Sequence, residues 1–278
     1  MRLLSTLIIS IFATLGIFWT WINYPEVRFW ILDILHASRF QTLEIRHSAE
    51  SIMEHHKRDL LKDHEHAYLE PDLKFHPYLL MDVKYTKSEN KTGEGIILWS
   101  LIDGEMVVNA NSWEKTHGFN DCIDANAGHS DFKIINALAS RGGSLDREAL
   151  AKTLNVENET LNTWLDKCRA KRLIVQNGNN FRLHLQDPKL QVTPETKLDL
   201  WLVTKPSKNA SRISKRYRPS QVENIAINSF GHDFAIRKTQ EIFLPVYSIV
   251  VQNPDGSQTT TYWNALNGKR LSKPYHIE

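Results

Sequence analysis

Residues 131–185, DFKIINALASRGGSLDREALAKTLNVENETLNTWLDKCRAKRLIVQNGNNFRLHL, decide how this chain is read. Ser130 and Asp131 are placed to cap a first helix with an apolar face of Phe132, Ile135, Leu138 and Ala139. Arg141-Gly142-Gly143 ends it, because glycine enters the left-handed turn at little steric cost. Ser144 is the expected cap of a second helix, with Asp146 and Glu148 at its positive end and Leu145, Ala149, Leu150 and Leu154 facing inward. After Asn155-Val156-Glu157 a third helix follows, with Leu161, Trp164, Leu165 and Cys168 at helical spacing. Two β-rich runs, Leu173-Ile174-Val175 and Phe181 to Leu185, flank an Asn-Gly turn, a strong hairpin signal.

The run ALAKTLNVENETLNTWLDKCRAKRLI within this stretch resembles the winged helix-turn-helix family of transcription regulators. The resemblance covers residues 131–185, about a fifth of the chain. It implies three helices with a hairpin wing, the start of the third helix being the end that enters a DNA major groove. On that implication Asn158, Asn162 and Thr163 are candidate base contacts, and Lys167 and Arg182 candidate phosphate contacts. Glu157 and Glu159 stand at the same leading edge and would repel phosphates. Where the family carries glycine before the wing, this chain has Arg172. Because a fold does not fix a function, the same unit serves equally as a protein-contact module.

Leu3 to Ile22 carries no charge, and a helix needs about 20 residues to cross the hydrocarbon. Phe18, Trp19, Trp21 and Tyr24 gather at one end like an interfacial aromatic belt, and Pro25 stops the helix. No small-x-small cleavage site follows, so a retained anchor in the inner (cytoplasmic) membrane is expected, single-pass, with the side of the remainder undecided. Val27 to Leu35 extends the apolar character, either in the interface plane or as a core helix.

The chain has 278 residues, a net charge of +2 and eight tryptophans: folded, not disordered, and with no global field that selects nucleic acid. No internal repeat is evident. The expected fold class is α+β: an N-terminal transmembrane helix, a small antiparallel β unit, a winged helix-turn-helix and a C-terminal helix plus β-hairpin module. The boundaries are an anchor over 1–24, interfacial and stalk helices over 25–77, a β unit and connector over 78–128, the winged helix over 129–190, a basic linker or helix over 191–219 and the C-terminal module over 220–278. Pro71 and Pro77 are read as breaks ahead of a strand from Tyr78 to Thr86. Ser220 is read as the cap of the last helix, which is followed by β runs over Glu241 to Gln252 and Ser257 to Trp263. Helix, long hairpin and the turn around Asn264 to Lys269 resemble a PepSY-type module over residues 220–271, which implies a non-catalytic regulatory or binding unit.

Three clusters invite chemistry. His56, Asp59 and Asp63 would share one helical face and are the candidate metal ligands, although HExxH is absent and a solvated charged face explains them as well. Cys122 lies between Asp121 and Asp124, a setting that weakens a thiolate, and a disulfide to Cys168 is not expected. Residues 205–218 hold Lys205, Lys208, Arg212, Lys215, Arg216 and Arg218 with no acid; as a helix, Lys208, Arg212, Lys215 and Arg216 would form one basic stripe for lipid, nucleic acid or an acidic partner.

No nucleophile elbow or phosphate loop is present. The reading is therefore a membrane-anchored, non-enzymatic interaction or adaptor protein without a cofactor, contacting a protein partner. The alternative is a membrane-tethered DNA-binding transcription regulator, opposed by Glu157 and Glu159.

Overall fold

The computed structural model describes residues 39–61, 65–87, 91–199, 202–206 and 210–271. The expected anchor from Leu3 to Ile22 and the run from Val27 to Leu35 lie outside them. No helix among the described residues is long and apolar enough to cross a membrane. The chain divides into two compact units, residues 1–41 with 204–210 and residues 42–203 with 211–278. Of the first unit the described residues are 39–41, 204–206 and 210; the second carries nearly all the architecture.

In chain order the elements are β1 (Arg39–Leu43), α1 (Ala49–His55), α2 (Lys57–Leu60), β2 (Ala67–Tyr68), β3 (Asp72–Thr86), β4 (Thr92–Ser100), β5 (Met106–Asn109), β6 (Glu114–Lys115), α3 (Phe119–Asp124), α4 (His129–Ala139), β7 (Ser144–Asp146), α5 (Arg147–Leu154), α6 (Asn158–Ala170), β8 (Ile174–Asn177), β9 (Asn180–Leu183), β10 (Leu202–Pro206), β11 (Ser211–Arg212), α7 (Pro219–Phe230), β12 (Ala235–Gln252), β13 (Gln258–Asn264) and β14 (Arg270–Leu271). The expected fold class is corrected here. There is no separate small β unit and no separate C-terminal hairpin module; both belong to one mixed sheet of eleven strands, accompanied by seven helices among the described residues. Of the interfacial and stalk helices expected over 25–77, the described part is likewise replaced by β1, two short helices, β2 and the start of β3.

The spine of the sheet is the antiparallel pair β3–β12. Their register sets Phe75 opposite Pro245, His76 opposite Leu244 and Pro77 opposite Phe243, so Phe-His-Pro runs against Phe-Leu-Pro. Pro77 does not break β3. Its carbonyl accepts the Leu101 N–H at 3.1 Å, so an N–H there would point to the same side, where β4 has already ended at Ser100. Pro245 does the same with Ala265 N–H at 3.0 Å, past the end of β13. Both faces of β3 are covered. Leu79, Met81, Val83 and Tyr85 enter one core with Trp99 and helices α3, α4 and α7; Tyr78 and Leu80 enter another with Leu98, Ile242, Leu244 and Val246. Burial on both faces removes the polar-apolar alternation over residues 75–81, and it returns from Asp82 to Thr86.

This arrangement is an internal duplication, against the expectation of no repeat. The hairpin β3–β4 matches β12–β13: Leu79 pairs with Trp99 and Tyr78 with Ser100, as Tyr247 pairs with Trp263 and Val246 with Asn264. The turns beyond them match bond for bond. Ser100 N–H donates to Glu105 O at 3.0 Å and Asn264 N–H to Lys269 O at 2.9 Å. Glu105 N–H donates to Asp103 Oδ1 at 3.2 Å and Lys269 N–H to Asn267 Oδ1 at 3.0 Å. Gly104 and Gly268 both take a left-handed φ, +74° and +69°, which makes glycine the fitting residue in each turn.

The strand and helix before each hairpin cross to the other one. Thr42 pairs in parallel with Phe243, and the Arg46 and His47 N–H groups bond Ala265 O; Arg212 pairs in parallel with Phe75, and the Arg216 and Tyr217 N–H groups bond Leu101 O. Ile52 and Leu60 of the first helical segment therefore pack on Ile249, Val251 and Trp263 of the second hairpin. Val222, Ile225 and Ala226 of α7 share a core with Trp99 of the first.

Between the two repeats in sequence lie α4, α5, α6 and a small sheet in the order β7-β9-β8. Its core is Ile134, Leu138, Leu150, Leu161, Leu165, Cys168, Ile174 and Phe181, while Phe132 and Ile135 on α4 enter the main core. Two expected caps move. Gly128 precedes α4, and its N–H donates back to Asp131 Oδ2 at 2.8 Å; Asp146, not Ser144, caps α5 by accepting Ala149 N–H at 2.8 Å. Arg172 holds φ +57°, the left-handed conformation at the position where the resembling family has glycine.

Candidate functional site

A cleft of about 510 Å³ opens beside the first repeat's turn, within the size range of small-molecule sites. The end of β3 brings His76 and Tyr78, the turn after β4 brings Ser100, Ile102, Asp103 and Glu105, and β6 with its approach brings Trp113 and Lys115. The second repeat's turn closes the mouth with Lys269, Arg270 and Leu271.

Lys115 Nζ donates to Asp103 Oδ2 at 2.6 Å and stands 5.5 Å over the Tyr78 ring. Burial works against both charges, yet Lys115 holds Asp103 below the usual carboxylate range, and Tyr78 first and Asp103 next hold Lys115 above the usual ammonium range. Burial pushes the Tyr78 phenol up, with Lys115 pulling the opposite way, so it stays a protonated donor. Ser100 Oγ accepts from Ile102 and Asp103 N–H, both at 3.3 Å.

Glu105 is buried, and both oxygens are engaged: Oε1 by Gly118 N–H at 2.9 Å and Asn120 N–H at 3.1 Å, Oε2 by the Thr116 hydroxyl at 2.6 Å. Burial outweighs these bonds and raises its carboxyl. His76 is 4% exposed, and its Nε2 has no hydrogen-bond partner. Burial first, then the Lys115 charge, lowers its pKa to about 4, so it is neutral at pH 7. Trp113 meets the Tyr78 ring edge-on at 5.8 Å, and its Nε1 is buried without a partner.

The residues singled out from sequence do not line this cleft. Glu157, Asn158, Glu159 and Thr160 are exposed at the start of α6. Asn162 is half-buried with Oδ1 enclosed and unpartnered, and the Thr163 hydroxyl donates to its own helix at Glu159 O, 3.1 Å. Lys167 and Arg182 are exposed, and no ion pair reaches them among the described residues. The expected basic helix is corrected. Lys205 lies in β10, Lys208 is outside the described residues, and Arg212 sits in β11 with its guanidinium 5.9 Å over Phe243. Lys215 and Arg216 follow outside any helix or strand and pair with Glu241 and Asp124, each at 2.7 Å. Distant acids thus pair two cations of a run that contains no acid of its own.

Among the described residues no group of three or more His, Cys, Asp or Glu is placed to hold a metal ion. His56 stacks on Trp263 at 4.4 Å and lies 3.7 Å from Asp59, while Asp63 is outside the described residues. Cys122 and Cys168 are buried free thiols. Burial holds both above the usual thiol range, helped by Asp121 for Cys122 and by Asp131 for Cys168.

The chain matches no family model, no curated protein and no solved structure. Sequence reasoning missed the cleft because its members are spread from β3 to β14 and carry no short motif. The signal available was the pair of matching stretches, Trp99 to Glu105 and Trp263 to Lys269, which differ where the charges lie.

Proposed function

We propose that this chain is a non-enzymatic interaction protein. A two-repeat β platform carries the α4-to-β9 unit, a winged helix used for protein contact. The observation that carries the reading is the exposure of Glu157 and Glu159 at the first turn of α6. In a winged helix that turn faces the major groove, where two carboxylates oppose phosphates instead of releasing counterions. Acids at this end do suit the positive end of the helix dipole. Of the cations behind them, two are engaged: Arg169 pairs with Asp166 at 3.6 Å and Lys171 with Asp131 at 2.6 Å, while Lys167 and Arg182 stay exposed.

The test is fluorescence anisotropy of a labelled mixed-sequence duplex titrated with the full chain at low salt. The reading expects no saturable, salt-dependent binding. Tight binding with a steep negative salt slope would favour a DNA-binding regulator instead.

A further inference from the structure

We infer that the cleft beside the first repeat's turn is a binding site for a small organic anion with a planar apolar body. The carboxylates of the wall and its Ser100 hydroxyl are already used: both Glu105 oxygens, both Asp103 oxygens, and the Ser100 oxygen, which takes two N–H groups. Donors are left over: Trp113 Nε1, which can only donate, has no partner. His76 Nε2 has none either, and its tautomer decides whether it donates or accepts. Lys269 and Arg270 stand exposed at the mouth, with no ion pair to either among the described residues. Unpaired buried donors are costly, and a ligand rich in acceptors relieves that cost. Ile102, Leu271 and the Tyr78 and Trp113 rings supply apolar wall for a flat body.

The second repeat is an internal control. Its turn reproduces the same backbone bonds, yet Leu244, Val246, Asn267 and Lys269 stand where the first has His76, Tyr78, Asp103 and Glu105. The fold therefore does not require the polar set. It has been kept or acquired on one side only, next to the cleft. This inference stands apart from the protein-contact reading of α6 and does not depend on it.

The probes are phenyl phosphate and benzoate, with benzyl alcohol as the uncharged counterpart, titrated calorimetrically into the full chain. One saturable site is expected for at least one of the two anions, and which anion binds separates a phosphate from a carboxylate ligand. Benzyl alcohol is expected to bind more weakly than that anion by about tenfold or more. The double variant Lys269→Glu/Arg270→Glu, exposed and outside the core, should lose about tenfold or more in affinity, as should Trp113→Phe, while Lys238→Glu on β12 binds as the parent does. Circular dichroism and Tm establish that each variant is folded. The inference is overturned if neither anion binds saturably at millimolar concentration, if benzyl alcohol binds as well as the anions, or if the folded Lys269→Glu/Arg270→Glu protein binds like the parent.

Discussion

Tyr78 and Val246 hold the same place in the two halves of one duplicated unit: Tyr78 pairs with Ser100 just after Trp99, and Val246 with Asn264 just after Trp263. The halves share backbone and differ in chemistry. One carries a phenol, an ion pair and a buried imidazole; the other carries aliphatic and amide side chains at the matching positions.

The imidazole makes stability depend on pH. His76 takes up a proton near 6.5 when unfolded but only near 4 when folded, because burial and Lys115 oppose the charge. A lowered folded value means that the unfolded chain binds the proton first. Stability is therefore full above about pH 6.5 and falls as the pH drops toward 4, a loss of about 3 kcal/mol from this group. His76→Leu, which copies Leu244 opposite it, should shrink the stability difference between pH 7 and pH 4.5 by about 2–3 kcal/mol. Urea unfolding at the two pH values measures it, and an unchanged difference would contradict the assignment.

The two turn glycines should not be equally replaceable. Both have a left-handed φ, so alanine is strained at either. A Cβ on Gly104 would also lie 2.7 Å from Tyr217 Cε2, a buried ring, whereas on Gly268 the nearest atom is His47 Nδ1 at 3.2 Å. Gly104→Ala should lower stability by about 2–3 kcal/mol, and Gly268→Ala by about 1 kcal/mol. Thermal unfolding ranks them, and the reverse order would count against the packing described.

Asp131 ties the inserted unit together. Its carboxylate, 2% exposed, takes the Lys171 ammonium at 2.6 Å, the Gly128 N–H at 2.8 Å and the Cys168 thiol at 3.3 Å. Asp131→Asn keeps the shape but removes the charge and one accepting oxygen. A loss of about 2–3 kcal/mol is expected, reduced from that of a fully buried pair because Lys171 reaches solvent. Chemical denaturation tests this; a loss below about 0.5 kcal/mol would mean that the network contributes little.

Local elements were legible in the sequence; long-range pairing was not. Leu161, Leu165 and Cys168 lie at helical spacing and are buried on α6, and the hairpin read from Asn-Gly turns one residue later, at Gly178-Asn179 between β8 and β9, with Gly178 at φ +60°. Such signals act within a few residues. The sheet rests on β3 meeting β12, partners far apart in the chain, a pairing that no local signal carries. Pro77 read as a break because proline seldom occupies a paired strand, and only the end of β4 at Ser100 explains its place. The basic run read as a stripe because its acids, Glu241 and Asp124, lie elsewhere in sequence. The cleft failed for the same reason: its residues meet only once the two repeats are paired.

The reading of α6 is tested most directly by reversing its leading charges. The full chain and its Glu157→Lys/Glu159→Lys variant are titrated against the same labelled duplex at several salt concentrations. If the acids are what keep a winged helix off DNA, the parent shows no saturable binding, and the folded variant gains binding that weakens steeply with salt. A parent that already binds tightly, or a folded variant that still does not bind, would contradict the account.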